Sequence, residues 1–262
     1  MSEVLGIDVG GTGIKAALVD PERGTLLTER VRVETPQPSK PDAVAAATAA
    51  LVDGLGGDGL TGIGFPAAVL GGVTKTAANV DKSWIEAPAE QIFAAALGRP
   101  VVLMNDADAA GLAEMRFGAG AGVPGVVMLL TLGTGIGSAL FVDGTLVPNT
   151  ELGHLEIRGK DAETRAAASV RERKGLSWKR WAQRLDEYLD RIEALFWPDL
   201  VILGGGVSRH ADRFIPLLES RVKIVGATLQ NEAGIVGAAV RAAELHPERS
   251  ARRPTSRRTR SG

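Results

Sequence analysis

The feature that most constrains this chain is a local pattern that occurs twice, in which two apolar, β-type runs are joined by a glycine-rich turn. The first copy extends from Val4 to Asp20 around residues 10–13, and the second from Val126 to Val142 around residues 133–137. Glycine allows positive φ angles and bare backbone, so each copy is predicted to be a β-hairpin. The repeat predicts an internal duplication, with a ligand in the cleft between two halves.

The remaining apolar periodicity alternates between short strands and helices, which predicts an α/β fold. Further strands are predicted at 26–33, 60–65, 101–104, 200–203 and 222–225. Helices are predicted after Asp42 and at 88–97, 107–117, 177–196, 210–218 and 232–245. We expect an N-terminal lobe over residues 1–118 and a C-terminal lobe over residues 119–246, with the helix near 232–245 packing back on the first lobe.

Several function classes are excluded by composition. The 262 residues include no cysteine, which rules out disulfides, a thiol nucleophile and cysteine-bound metal. No apolar run is long enough to span a bilayer, and the N-terminus lacks the basic and apolar segments of a signal peptide. We therefore expect a cytoplasmic protein with no membrane partner.

The charge of the chain is uneven. Its net charge is −1, yet residues 247–262 carry six arginines against Glu248 alone. This segment is rich in Ser, Thr and Pro and has no apolar periodicity, which predicts a disordered basic tail.

The first glycine turn is a candidate anion site. Consecutive N–H groups in such a turn can point at one anion, and Thr12 and Lys15 add a hydroxyl and a positive charge. Asp8, at the end of a buried strand, is well placed to hold a metal-bound phosphate. The turn is not a Walker loop, since no helix follows it. An ordinary glycine hairpin without a ligand remains the alternative.

Asp106 is the candidate catalytic carboxylate. It follows a strand and precedes a helix, so the strand delivers it to the edge of a cleft. A carboxylate there can orient a substrate hydroxyl and accept its proton. It can equally serve as the N-cap of the helix at 107–117, and the residues alone leave both readings open.

Four motifs in this order resemble the ROK family of sugar kinases and repressors. They are Asp8–Lys15, Asn105-Asp106, Gly133–Gly137 and Glu151–His154. The resemblance covers nearly all of residues 4–245 and implies a two-lobed actin-like, hexokinase-like (ribonuclease H-like) ATPase fold. Two stretches, at 79–84 and 177–181, resemble the branch of the family that uses inorganic polyphosphate.

The resemblance also implies roles for individual residues. Asp106 is the implied general base, and glucose is held by Asn79, Asn105, Asp106, Glu151, His154 and Glu163. Glu156 competes with Glu163 for the last of these places, and the family pattern fits Glu163 better. Phosphate or nucleotide is held by Asp8, Gly10, Gly11, Thr12, Gly13, Lys15, Gly133, Thr134, Gly135, Gly204, Gly205 and Gly206. Mg²⁺ is the expected cofactor, with Asp8 as its candidate ligand.

Two further features depart from the usual pattern or extend it. Many family members bind zinc through the histidine that corresponds to His154 and through a cysteine cluster. This chain has no cysteine, so we expect it to bind no zinc.

The cations around Trp178 and Trp181 are candidate polyphosphate contacts, namely Arg173, Lys174, Lys179 and Arg180. An amphipathic helix with solvated cations is the alternative, and nucleic-acid binding is a weaker one.

The expected activity is transfer of a phosphoryl group from polyphosphate, and also from ATP, to the 6-hydroxyl of glucose. A strictly ATP-dependent hexose kinase is the first alternative. A sugar-responsive repressor is the second, although such proteins place a helix-turn-helix before the kinase-like region and no such segment precedes Asp8 here. The family also implies a homodimer and no nucleic-acid partner.

Overall fold

The computed structural model of the protein describes residues 3–56 and 59–246. The strands are β1 (Val4–Val9), β2 (Ile14–Asp20), β3 (Thr25–Leu26), β4 (Val31–Val33), β5 (Thr61–Phe65), β6 (Val69–Leu70), β7 (Val73–Thr74), β8 (Val101–Asn105), β9 (Val126–Leu132), β10 (Ile136–Val142), β11 (Thr145–Val147), β12 (Glu156–Ile157), β13 (Lys160–Asp161), β14 (Leu200–Gly204) and β15 (Ile224–Gly226). The helices are α1 (Pro41–Val52), α2 (Ala89–Leu97), α3 (Asp106–Phe117), α4 (Glu163–Ala166), α5 (Ala168–Arg173), α6 (Trp178–Phe196), α7 (Ala211–Phe214) and α8 (Ala233–Leu245).

Two sheets of matching topology organise these elements. The first has the order β3-β2-β1-β5-β8, with β4 also paired to β2, and the second has the order β11-β10-β9-β14-β15. Each begins with an antiparallel glycine-turn hairpin and continues with parallel strands. The carboxyl ends of parallel strands meet at one edge of a sheet, and the motifs of the sequence lie at those edges.

Helix α8 returns from the second sheet to pack on the first. Ile235 and Val236 share a buried cluster with Val4 and Val19. The approach is close because glycines line it. A Cβ on Gly62 would lie 1.9 Å from the carbonyl oxygen of Ala238. The helix therefore fits only against a bare stretch of backbone.

Two aromatic clusters fill the cores behind the sheets. Trp84 stacks on Phe93 at 5.7 Å between ring centroids in the first core. Trp181 meets Phe214 edge-on at 5.0 Å in the second. The amphipathic pattern of α6 thus places Trp181 inside, as the hydrophobic periodicity of 177–196 indicates.

Three local predictions were wrong. The strand expected at 26–33 is two short strands, β3 and β4, with an irregular segment between them. The helix expected at 210–218 is only α7 followed by a 3-10 turn at Ile215–Leu217, because Pro216 cannot donate the next helical hydrogen bond. Helix α1 begins at Pro41 with Lys40 as its N-cap, so Asp42 lies in its first turn instead of capping it.

The predicted basic tail at 247–262 lies outside the described residues. Within the described residues, no helix is both long and apolar enough to cross a bilayer.

Candidate active site

A cavity of about 310 Å³ lies where the two glycine turns face each other. The first turn contributes Gly10, Gly11 and Thr12, and the second contributes residues 133–137. Asp106 and Glu151 line the same space. Two sheets whose motif-bearing edges converge therefore bring glycine-turn backbone and carboxylates into one cavity.

Asp106 occupies the first position of α3, directly after β8. Asn105 caps the helix, with its side-chain oxygen accepting from the backbone N–H groups of Ala107 and Asp108. Asp106 Oδ1 also accepts from Ala107 N, at 2.8 Å. No other described residue donates to this carboxylate, so its second oxygen is available to a ligand. The helix cap is thus supplied by the neighbour, and Asp106 is left to face the cavity.

The electrostatics of Asp106 suit a proton acceptor. Burial raises the pKa of Asp106 from 3.8 to about 7, and the negative charge of Asp8 adds to the effect. Glu151 and Asp108 raise it further, while the hydrogen bond from Ala107 opposes them. A base with a pKa near the working pH combines a useful fraction of carboxylate with real proton affinity.

Both glycine turns are closed by their own backbone. Gly10 N donates to Gly13 O at 2.9 Å, and Gly133 N donates to Gly135 O at 3.0 Å. Asn79 lies against both turns. A Cβ on Gly11 would be 2.9 Å from Asn79 O, and a Cβ on Gly135 would be 3.6 Å from Asn79 Nδ2. A side chain at Gly11 would displace Asn79, and one at Gly135 would displace Glu163, whose Oε2 would lie 2.2 Å from the new Cβ.

Asp8 and Lys15 form an ion pair at the floor of the first turn, with 2.8 Å between Lys15 Nζ and Asp8 Oδ2. Gly234, in the first turn of α8, leaves room for this carboxylate, since a Cβ there would lie 2.9 Å from Asp8 Cγ. A carboxylate oxygen beside a glycine turn is the kind of ligand that Mg²⁺ accepts. The donor set fits the expected Mg²⁺, which would be held by Asp8 and phosphate oxygens.

The end of the cavity beside the second glycine turn is rich in carboxylates. Burial raises the pKa of Glu151, and the charge of Glu163 adds to it, while His154 opposes both. The hydrogen bond to Asp161 raises the pKa of His154. Glu163 Oε2 accepts from Ile136 N at 3.1 Å, which anchors the Glu163 side chain beside the second turn. This end offers several acceptors of the kind that bind paired sugar hydroxyls.

His154 belongs to a possible ligand set that contains no cysteine. One ligand atom each from His154, Asp161 and Glu163 lies within 4.8 Å of the others. His154 Nδ1 is already engaged with Asp161 Oδ2 at 2.9 Å. The expectation that the protein binds no zinc stays a prediction.

Comparison with known proteins identifies the family. The ROK family model matches residues 4–167, more than half of the chain. The chain belongs to the ROK family.

Individual ROK relatives are similar over most of the chain. The polyphosphate glucokinase of Mycobacterium tuberculosis is 55% identical over 236 residues, covering 90% of this chain and 89% of the relative. The glucokinase of Streptomyces coelicolor is 29% identical, covering 94% and 99%.

Two solved ROK structures are similar as well. The inorganic polyphosphate/ATP-glucomannokinase of Arthrobacter sp. strain KM has a TM-score of 0.92 and 54% identity, covering 94% of this chain and 100% of that one. The ROK glucokinase of Streptomyces griseus, solved with glucose and AMPPNP, has a TM-score of 0.78 and 26% identity, covering 92% and 99%. The two-lobed hexokinase-like fold expected from the sequence is confirmed.

Most of the site residues expected from the ROK resemblance line the one cavity. They are Asp8, Gly10, Gly11, Thr12, Lys15, Asn79, Asn105, Asp106, Gly133, Thr134, Gly135, Glu151, His154, Glu163, Gly205 and Gly206. Glu163 is among them and its competitor Glu156 is not. Gly13 and Gly204 lie outside the lining, and the carbonyl oxygen of Gly13 closes the first turn by accepting from Gly10 N.

The candidate polyphosphate contacts are placed elsewhere. Arg173 and Lys174 end α5, and Lys179 and Arg180 begin α6, all exposed and none lining the cavity. Arg171, from the same basic cluster of the sequence, lies over the Trp178 ring at 3.5 Å. In the ROK fold of this chain, the tryptophans therefore pack against the core and a cation and do not point into the cavity.

Several cavity residues were missed by sequence reasoning. They are Pro66, Thr76, Thr131, Ser138, Thr150, Gln230, Asn231 and Gly234. Most are short polar residues in loops or on strands without a motif, so only the folded arrangement identifies them. One signal was present for Gly234, because a glycine in the first turn of a helix indicates close packing.

Proposed function

We propose that this protein transfers the terminal phosphoryl group of inorganic polyphosphate to the 6-hydroxyl of glucose, with ATP as a second donor. The observation that carries the proposal is the position of Asp106. A carboxylate with a pKa of about 7 faces a cavity that is lined by two glycine turns and by further carboxylates. The names of the Mycobacterium and Arthrobacter relatives support polyphosphate as the donor.

The reaction follows from this placement. The free oxygen of Asp106 accepts the proton of the glucose 6-hydroxyl, and the sugar oxygen forms a bond to the terminal phosphorus. The bond from that phosphorus to the bridging oxygen of the donor breaks, and the donor leaves one phosphate shorter. The hydrogen bond from Ala107 fixes the direction of the carboxylate. A carboxylate fixed in this direction meets a bound sugar hydroxyl in the orientation that the reaction requires.

The phosphate end of the cavity neutralises the donor. Backbone N–H groups of the two turns donate to phosphoryl oxygens, and the hydroxyls of Thr12 and Thr134 add two further donors. Mg²⁺, when bound, supplies positive charge to the transferring phosphoryl group. Asp8 is the residue that would hold it, oriented by its ion pair with Lys15.

The sugar end fixes glucose by its hydroxyls. Asn105 has used its oxygen to cap α3, and its amide nitrogen donates to Ala67 O at 3.2 Å, so it retains one N–H for a sugar. Glu151, His154 and Glu163 supply the acceptors, and Asn79 adds an amide beside the turns. An anchored Glu163 also links the sugar end to the turn that holds the donor.

ATP as a donor is supported by a third glycine turn. Gly205 adopts a φ of 80° after β14, and a Cβ there would lie 2.5 Å from Leu132 O. Gly205 and Gly206 line the cavity, where bare backbone leaves space for an adenosine group. The name of the Arthrobacter relative includes ATP beside polyphosphate.

A donor comparison tests this proposal. Initial rates of glucose 6-phosphate formation are measured with nucleotide-free long-chain polyphosphate and, separately, with ATP. We expect turnover with both donors and a higher kcat/KM with polyphosphate. Turnover with ATP alone would establish the strictly ATP-dependent alternative and refute polyphosphate as the donor.

We also propose that the protein is a cytoplasmic homodimer. Supporting this, Leu195 and Trp197 at the end of α6 have exposed fractions of 61% and 75%. Light scattering at several protein concentrations measures the assembly directly, and a monomer at every concentration would contradict it.

A further inference from the structure

Two cations lie beside the first glycine turn: Lys15, which lines the cavity, and Arg32, which does not. Lys15 on β2 is directly opposite Arg32 on β4 in the antiparallel register, so the two side chains share one face of the sheet. The guanidinium of Arg32 lies against the turn. A Cβ on Gly13 would be 2.9 Å from Arg32 Nε and 3.0 Å from its Nη2.

Arg30 continues this line of charge. It is two residues before Arg32 and directly precedes β4, so the two Cα atoms are at most roughly 7 Å apart. Its Nη1 lies 3.4 Å from the carbonyl oxygen of Asn231. Asn231 lines the cavity, so Arg30 stands at the rim, next to the start of α8.

The two arginines differ from Lys15 in their available charge. Lys15 is neutralised by Asp8 at 2.8 Å. Across the described residues, Arg32 and Arg30 have no carboxylate within ion-pair distance, and both are exposed. Two unneutralised guanidinium groups thus extend from the phosphate turn toward solvent.

The geometry points to a polyanion subsite at Arg32 and Arg30, a pair we name the arginine ledge. It binds the distal phosphates of an inorganic polyphosphate chain where the chain leaves the cavity, and so rests on the proposed function. Guanidinium groups hold phosphate oxygens through paired, charge-assisted hydrogen bonds. A regularly charged chain meets the ledge at successive phosphates.

The ledge distinguishes the two donors. ATP has only three phosphates, which are followed by adenosine. The third glycine turn, which suits the adenosine group, belongs to the second sheet. A long polyphosphate chain extends past the first turn and reaches Arg32 and then Arg30. The cations of α5 and α6 lack this continuity, since none of them lines the cavity or contacts either turn.

Steady-state kinetics of two ledge variants and one control variant test the ledge. For Arg32→Gln, we expect KM for long-chain polyphosphate to rise about tenfold with kcat unchanged, since one charge-assisted contact is lost. For Arg30→Gln, we expect a rise of about threefold with long chains and none with tripolyphosphate, because a short donor does not reach it. KM for ATP should change by less than about twofold in both.

The control is Arg23→Gln, which removes the same charge from the turn between β2 and β3, where Arg23 lies 3.9 Å from Asp20. Arg23 is exposed and follows the far end of β2, away from the turn. We expect its KM values to equal those of the wild type. A rise as large as that of Arg32→Gln would show a general effect of net charge and overturn the ledge.

A binding measurement separates the ledge from the proposed function. Long-chain polyphosphate binding is followed by titration calorimetry, without glucose and without turnover. Weaker binding by Arg32→Gln supports the ledge even if the wild type fails to use polyphosphate as a donor. Unchanged binding by Arg32→Gln, or a loss confined to Lys179→Gln/Arg180→Gln, overturns it.

Discussion

At the scale of single residues, the site depends on two adjacent residues at the end of β8 that have different roles. Asn105 satisfies the N-terminal N–H groups of α3 with its side-chain oxygen. Asp106 is consequently spared the capping role and faces the cavity with one oxygen free. An aspartate at the N-cap itself would have its carboxylate tied to the backbone, with a lowered proton affinity.

The same arrangement predicts the pH dependence of the reaction. The pKa of Asp106 is raised from 3.8 to about 7, chiefly by burial, and the base works only when deprotonated. We expect kcat/KM to fall as the pH drops through about 7. Asp106→Asn should lower kcat at least ~100-fold and abolish this limb, with little change in glucose affinity.

Stability measurements provide the control for that variant. The pKa of Asp106 is higher in the folded chain than in the unfolded chain. Between pH 3.8 and about 7, the folded chain therefore keeps a proton on Asp106 that the unfolded chain has lost. Ionisation of Asp106 thus destabilises the fold as the pH rises through this window. The Asn variant should therefore have a Tm at pH 8 no lower than that of the wild type. A variant that keeps most of its turnover would rule out Asp106 as the base.

At the scale of elements, helix α8 connects the first sheet to the rim of the cavity. Its body packs on β1 and α3, and its first turn places Gly234 beside Asp8. The preceding 3-10 turn, Gln230–Glu232, carries two further residues of the lining. Displacement of the helix would therefore disturb both the core and the phosphate end.

This coupling predicts the effect of a methyl group in the helix. A Cβ on Gly237 would lie 1.6 Å from the carbonyl oxygen of Ala109, which is backbone of α3. Gly237→Ala should lower the free energy of unfolding by at least about 2 kcal/mol, although alanine favours a helix. Urea denaturation measures the loss.

The matched substitution is Gly59→Ala. A Cβ there would lie 3.7 Å from Glu3 O, an ordinary contact. We expect its stability to differ from that of the wild type by less than about 1 kcal/mol. Equal destabilisation by the two changes would mean that packing against α3 is not the cause.

At the scale of the whole molecule, two matching sheets with one cavity between their edges suit a hinge. We propose that residues 1–118 and 119–246 act as lobes that close when glucose binds. Closure would bring the two glycine turns together around the donor and exclude water from Asp106. Water is a competing acceptor, so closure protects the donor from hydrolysis.

The prediction at this scale concerns hydrolysis of the donor when glucose is absent. Without glucose, we expect hydrolysis of polyphosphate to be at least ~100-fold slower than phosphoryl transfer to glucose. Phosphate release is compared with glucose 6-phosphate formation, and small-angle X-ray scattering should show a smaller radius of gyration with glucose. Rapid hydrolysis without the sugar, with no change in radius, would contradict closure.

The sequence by itself determined the two hairpins, the α/β class, the amphipathic α6 and the position of Asp106 after a strand. These depend on local periodicity and on the conformational freedom of glycine, which act within a few residues. The family motifs in order also located most of the cavity lining.

Tertiary structure alone decided which distant groups meet. Glu163, which the family pattern favoured over Glu156, accepts a hydrogen bond from Ile136 N at the second turn. Arg32 lies over Gly13 because β4 pairs with β2, and Gly234 lies beside Asp8 because α8 packs on β1. Contacts between residues far apart in the chain follow from sheet register and helix packing, which no local pattern specifies.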